Sequence, residues 1–121
     1  MRRYLYSMLI VAVCFTACDA EDDELDLDEQ FEALVALSES VTCVDPAEWR
    51  VAGIGAKACG GPSDYIAYSV AIDTLDFLQR LETYNEGVAA RIADSGLFSD
   101  CSITPPPRAV SCENGKAVLM Y

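Results

Sequence analysis

Val110-Ser111-Cys112-Glu113-Asn114-Gly115-Lys116-Ala117-Val118-Leu119-Met120 decides the fold of this chain. Val110 and Cys112 precede the Asn114-Gly115 pair, and Val118 and Met120 follow it. Alternation of period two on both sides of a dipeptide that accepts positive φ is the strongest short signal for a β-hairpin. Working back, Pro105-Pro106-Pro107 excludes helix and central strand and enforces extended polyproline geometry. Ahead of it, Leu75, Phe77, Leu78, Leu81, Tyr84, Val88 and Ile92 form a broad helical stripe. With Asp73 placed to cap it and Gly96 to close it, the spacing predicts a main helix over roughly 74–94.

Two further strands are predicted. Trp49, Val51, Gly53 and Gly55 alternate with Arg50, Ala52 and Ile54 up to about Lys57, and Ile66, Tyr68, Val70 and Ile72 alternate with Ala67, Ser69 and Ala71. Cys59-Gly60-Gly61-Pro62 between them is a turn, and Pro46 after Asp45 suits a turn or one short helical turn. Near the N-terminus, Leu27, Phe31, Leu34, Val35, Ser38 and Val41 recur on one helical face, so a helix is predicted over roughly 27–42. Asp26 would cap it, with Glu29 completing a capping box, and its stripe would dock on the domain that follows. The expected fold is a small α+β domain. An antiparallel sheet of three or four strands carries the main helix on one face, and the N-terminal helix follows an acidic tether.

The first 26 residues have a different character. Met1-Arg2-Arg3 precedes an uncharged apolar stretch from Tyr4 to Ala17, and Cys18 is followed by Asp19-Ala20-Glu21-Asp22-Asp23-Glu24. Fourteen residues are too few to span a bilayer, which takes about 20. A basic start, a short apolar run and small residues before a cysteine describe a signal peptide, and Phe15-Thr16-Ala17-Cys18 resembles the lipobox of bacterial lipoproteins. That resemblance implies cleavage before Cys18 and acylation of its sulfur. The resulting organisation is a signal peptide over 1–17, an acidic tether over 18–26, the helix over 27–42 and the domain over 43–121. Cys14, inside the apolar run, is a poorer cleavage point. Asp19 to Glu24 also resembles the acidic surface-export tag of Bacteroidota-type lipoproteins. It implies an exported outer-membrane protein, surface-displayed or periplasm-facing, whose membrane partner is reached through the acyl anchor. The order of Trp49, the Gly-Ile-Gly-Ala-Lys-Ala-Cys-Gly-Gly-Pro run, Tyr65, Cys101 and Cys-Glu-Asn-Gly-Lys116 resembles small lipoproteins of the same bacteria, a likeness that carries no activity with it.

The formal net charge of −12 becomes −14 once Arg2 and Arg3 leave, with 20 acids against 6 bases. Such a charge repels phosphate backbones and anionic lipid, which disfavours nucleic acid as a partner. Without Cys14 and Cys18, Cys43, Cys59, Cys101 and Cys112 remain, and four cysteines in a small exported domain read as two disulfides with three connectivities. Short loops favour Cys43 with Cys59 and Cys101 with Cys112. Zinc is disfavoured, because the set lacks a Cys-x-x-Cys pair and the chain has no histidine. The alternating acids from Asp22 to Asp28 make no calcium loop, since Leu27 or Asp28 stands where an EF-hand needs glycine.

No motif for catalysis or a cofactor survives scrutiny. Gly53-Ile54-Gly55-Ala56-Lys57-Ala58 fits a nucleotide fingerprint but runs into Cys-Gly-Gly-Pro rather than opening a helix, so close packing or a bulge explains the glycines better. Absence of histidine removes Ser-His-Asp and Cys-His arrangements, and a non-enzymatic binding or accessory module is expected. The segment with functional character runs from Cys101 to Cys112, where Ile103, Thr104, Pro105, Pro106, Pro107 and Arg108 form a candidate partner-binding loop. It partly resembles the reactive loop of Bowman-Birk protease inhibitors, over twelve residues and with a longer ring. The resemblance implies Ile103 in a specificity pocket, Thr104 after the scissile bond and Pro106-Pro107 as the proline pair, with Arg108 a rival specificity residue.

Overall fold

The computed structural model of the chain describes residues 26–121. The apolar leader, Cys18 and the acidic run up to residue 25 lie outside the described residues, and so do the signal-peptide and lipidation expectations that rest on them. The elements in order are α1 (Leu27–Ser38), a 3-10 turn (Pro46–Glu48), β1 (Trp49–Ile54), β2 (Asp64–Ser69), α2 (Thr74–Ser95), β3 (Ala109–Glu113) and β4 (Lys116–Met120). This is the mixed α+β architecture expected, with four strands, but they form two antiparallel hairpins rather than one sheet. In the first, Ala52 faces Ile66; in the second, Ser111 faces Val118. The hairpins touch, β2 beside β4, but share no ladder. α1 packs along β2, and Pro105, Pro106 and Pro107 have no N–H with which to extend a ladder ahead of Ala109.

The second hairpin turns as its sequence requires, with φ of 51° at Asn114 and 78° at Gly115. α2 is capped by Asp73, whose Oδ1 accepts the Asp76 N–H at 3.1 Å, and closes at Gly96 in the left-handed region. α1 differs at both ends. The Asp26 side chain makes no cap hydrogen bond and instead accepts from Arg91 Nη2 at 3.3 Å, so the expected capping box is absent. The helix stops at Ser38, where the hydroxyls of Ser38 and Ser40 donate to the Val35 and Leu37 carbonyls at 3.0 and 2.7 Å.

β1 ends at Ile54, three residues before the expected limit near Lys57, because Gly55 takes φ of 76° and its N–H leaves the ladder for Asn85 Oδ1 at 2.7 Å. Asn85 Nδ2 donates back to the Gly53 carbonyl at 3.2 Å, so one α2 side chain fastens the helix to the end of the strand. A Cβ at Gly53 would stand 2.8 Å from Pro62 Cβ, and one at Gly55 would overlap the Ser63 hydroxyl. The glycines therefore serve close packing, as the sequence reading expects. β2 ends at Ser69, whose buried hydroxyl accepts the Ala71 N–H at 3.1 Å, and Val70 beyond it faces solvent.

Leu34, Ile54, Ile66, Phe77 and Leu81 make the core, with Leu37, Ala52, Tyr68, Ile72 and Tyr84 packed against it. The Phe77 and Tyr68 rings lie 5.0 Å apart, and Phe31 of α1 meets Tyr84 of α2 at 5.9 Å. α1 is thus docked on the domain and completes its core. Leu75 and Leu78, which belong to the predicted α2 stripe, are outside the core and exposed.

The disulfides join Cys43 to Cys112 and Cys59 to Cys101, each with Cα atoms 5.3 Å apart. The pairing expected from short loops is overturned: the Cys101–Cys112 stretch runs through three prolines into β3, and the Cys43–Cys59 stretch contains β1. Fully extended, the eleven steps from Cys101 to Cys112 would reach up to roughly 36 Å, against the roughly 7 Å that a disulfide tolerates, and three prolines limit how far this stretch can fold back. β1 likewise carries the chain away between Cys43 and Cys59.

Phe77→Ala is expected to lower the unfolding free energy by about 3–5 kcal/mol in a denaturant titration, and Leu75→Ala by less than about 0.5 kcal/mol. Ser111→Ala should leave stability unchanged or raise it, because the buried Ser111 hydroxyl has no hydrogen-bond partner among the described residues.

Candidate functional site

The segment from Leu97 to Arg108 has neither helix nor strand, so its shape depends on what ties it down. At its start Cys101 is bonded to Cys59. Lys57, two residues before that cysteine, donates from Nζ to the Ser102 carbonyl at 2.7 Å and to its hydroxyl at 3.3 Å. Tyr65 of β2 donates its hydroxyl to the Thr104 carbonyl at 3.2 Å, and Thr104 Oγ1 donates to the Ser63 carbonyl at 3.4 Å. At the far end, the Arg108 N–H meets the Met120 carbonyl at 2.7 Å and leads into β3.

The residues on either side of Ile103 are therefore fastened to the β1–β2 loop and to β2. Ile103 itself is 89% exposed and stands out from this frame. Pro105, Pro106 and Arg108 are exposed, while Thr104 and Pro107 are half-buried. Leu97 is 66% exposed and Phe98 fully exposed, which adds apolar surface on the same segment. Residues 103–108 form one contiguous stretch, but not a ring closed by Cys101 and Cys112. The two ends of the loop are anchored separately, Cys101 to the first hairpin's loop and Cys112 to Cys43.

Asp100 orders the approach to the loop. Its Oδ1 accepts the Ser102 N–H at 3.1 Å and the Ser102 hydroxyl at 2.8 Å. These bonds, the backbone one foremost, hold its carboxyl below the ordinary value, with the Lys57 ammonium adding to the effect. Nothing in the sequence marks Asp100, Lys57, Ser63 or Tyr65 as a support of this loop. Lys57 and Tyr65 flank the Cys59 turn, so they become legible as loop supports only once Cys59 is known to pair with Cys101.

A groove of about 690 Å³ lies elsewhere, between α1, β2 and the β3–β4 turn, with Phe31, Val35, Tyr65, Ala67 and Leu119 among its walls. Of the charged groups on its rim, Glu39 and Lys116 pair at 3.7 Å. Among the described residues no group of His, Cys, Asp and Glu stands where it could hold a metal ion, and no helix is long and apolar enough to cross a membrane. No protein-family model matches the chain, and no curated protein or solved structure matches it either.

The Asp100 contacts make a pH test. A carboxylate with a lowered folded pKa keeps its contribution above the ordinary value of 3.8 and loses it as the pH falls through the folded value. The Ser102 amide resonance is expected to titrate with the carboxylate, its midpoint lying below 3.8. In Asp100→Asn the movement should vanish.

Proposed function

We propose that this chain is an acylated outer-membrane lipoprotein, displayed at the cell surface, that acts without catalysis by binding a protein partner through residues 97–108. The observation that carries the reading is Ile103, 89% exposed while Ser102 and Thr104 on either side are hydrogen-bonded to the scaffold. A segment held extended by three prolines and by these contacts has already lost much of the conformational entropy that docking would cost. Leu97 and Phe98 supply apolar area that a water-facing loop has no other use for. The lipobox-like Phe15-Thr16-Ala17-Cys18 and the acids after it support the anchoring half of the proposal.

A second reading, protease inhibition, is favoured by where the ties fall. If a protease cut between Ile103 and Thr104, the Ile103 side would remain held by the Cys59–Cys101 bond and by Lys57, and the Thr104 side by Tyr65 and Ser63. The new amine would stay beside the acyl group, which favours resealing over release.

Two measurements test the proposal. Intact mass of protein from its native membrane is expected to show cleavage before Cys18 plus acyl chains; a soluble, unprocessed chain would refute the anchor. In affinity capture from native surface extracts, Ile103→Asp is expected to lose at least about tenfold of any partner held by the wild type, since an anchor residue in a pocket is worth 2 kcal/mol or more. Equal capture by both would refute the loop. For inhibition, Ile103→Asp should abolish activity against elastase-like proteases and Arg108→Ala against trypsin-like ones, and failure of the wild type against a panel that also includes chymotrypsin-like enzymes removes that reading.

A further inference from the structure

The two disulfides occupy unlike surroundings. Cys43 is 3% exposed and Cys112 half-buried, whereas Cys59 and Cys101 are both exposed. Beside Cys59, Gly60 and Gly61 take φ of 94° and 81°, and nothing stands within 4 Å of where their Cβ atoms would be. Thiol–disulfide exchange needs a thiolate to approach one sulfur in line with the S–S bond, and such open flanks give it room. None of the core residues Leu34, Ile54, Ile66, Phe77 and Leu81 belongs to the segment that this bond secures. Opening it therefore requires no unfolding, while opening Cys43–Cys112 disturbs a buried sulfur.

We infer that Cys59–Cys101 is a thiol–disulfide exchange site for an external dithiol, and that exchange there releases residues 97–107 while the fold and Cys43–Cys112 persist. A thiolate of the dithiol attacks Cys59 Sγ, the Cys59–Cys101 bond breaks, and Cys101 leaves as a thiolate. The Lys57 ammonium, fixed on neighbouring Ser102, favours that charge, and Asp100, one residue before Cys101, opposes it with a carboxylate engaged by Ser102. The second thiolate of the dithiol then attacks its partner sulfur in the mixed disulfide and frees Cys59. The dithiol is oxidised to a disulfide, giving up two electrons, and Cys59 and Cys101 take up two protons. What remains on the segment is two exposed hydrogen bonds, from Lys57 and Thr104, and a part-buried one from Tyr65. The inference concerns order in the segment and holds whether or not the segment binds a partner.

The test treats the mature chain with graded dithiothreitol, quenches with an alkylating reagent and maps the modified cysteines by peptide mass. Cys59 and Cys101 are expected to be labelled at least about tenfold faster than Cys43 and Cys112, by the dependence of exchange on access. At that stage the circular dichroism should be unchanged and protease nicking within 97–107 at least about tenfold faster, as local release implies. A Cys59→Ser/Cys101→Ser variant should fold and be nicked like the selectively reduced protein. Equal labelling of both bridges, earlier labelling of Cys43–Cys112, unchanged nicking, or a variant that cannot fold would overturn the inference.

Discussion

The bond between Cys43 and Cys112 ties the segment between α1 and β1 to β3, a covalent link across a boundary where β2 and β4 also lie side by side. The β1–β2 and β3–β4 hairpins share no ladder, and a two-stranded hairpin is marginal alone. The disulfide closes across 69 positions, and beside it the Cys43 N–H donates to the Gly115 carbonyl at 2.8 Å, at the turn of the second hairpin. On the chain-entropy account a loop of that length stabilises by about 4 kcal/mol, comparable with what a core of this size supplies on its own. The covalent link thus reinforces a junction that no continuous sheet spans.

Hydrophobic burial completes the other half. Phe77 and Leu81 of α2 and Leu34 of α1 press on Ile54 and Ile66, and Asn85 bonds to both Gly53 and Gly55 to fix the helix against the strand end. The second disulfide takes no part in that core. It secures the 97–107 segment to the turn after β1, so the molecule separates into a packed body and an exposed loop with its own fastening. Division of that kind lets a surface segment be rigid enough to recognise something without its residues being needed for folding.

Local features were legible in the sequence because their causes are local. Asn114-Gly115 specifies its turn, Asp73 and Gly96 specify the ends of α2, and the spacing of Phe31, Leu34 and Ser38 specifies a docked helix. Features set by long-range contact were not. Strand length depended on Asn85, thirty positions from Gly55, whereas the end of α1 is marked locally, by the Ser38 and Ser40 hydroxyls on carbonyls three residues back. The cysteine pairing failed for a related reason: proximity along the chain is a poor guide when the intervening residues are extended, and the three prolines that marked the loop as rigid also kept Cys101 from reaching Cys112. The supports of the loop, Lys57 and Tyr65, were hidden by the same error.

The most direct measurement of this account is a peptide map of the oxidised protein, digested without reduction at a pH that prevents exchange. The structure predicts linked peptides joining Cys43 to Cys112 and Cys59 to Cys101. Linkage of Cys43 to Cys59 and of Cys101 to Cys112, or four free thiols, would contradict it, because neither leaves a covalent link between the Cys43 segment and β3.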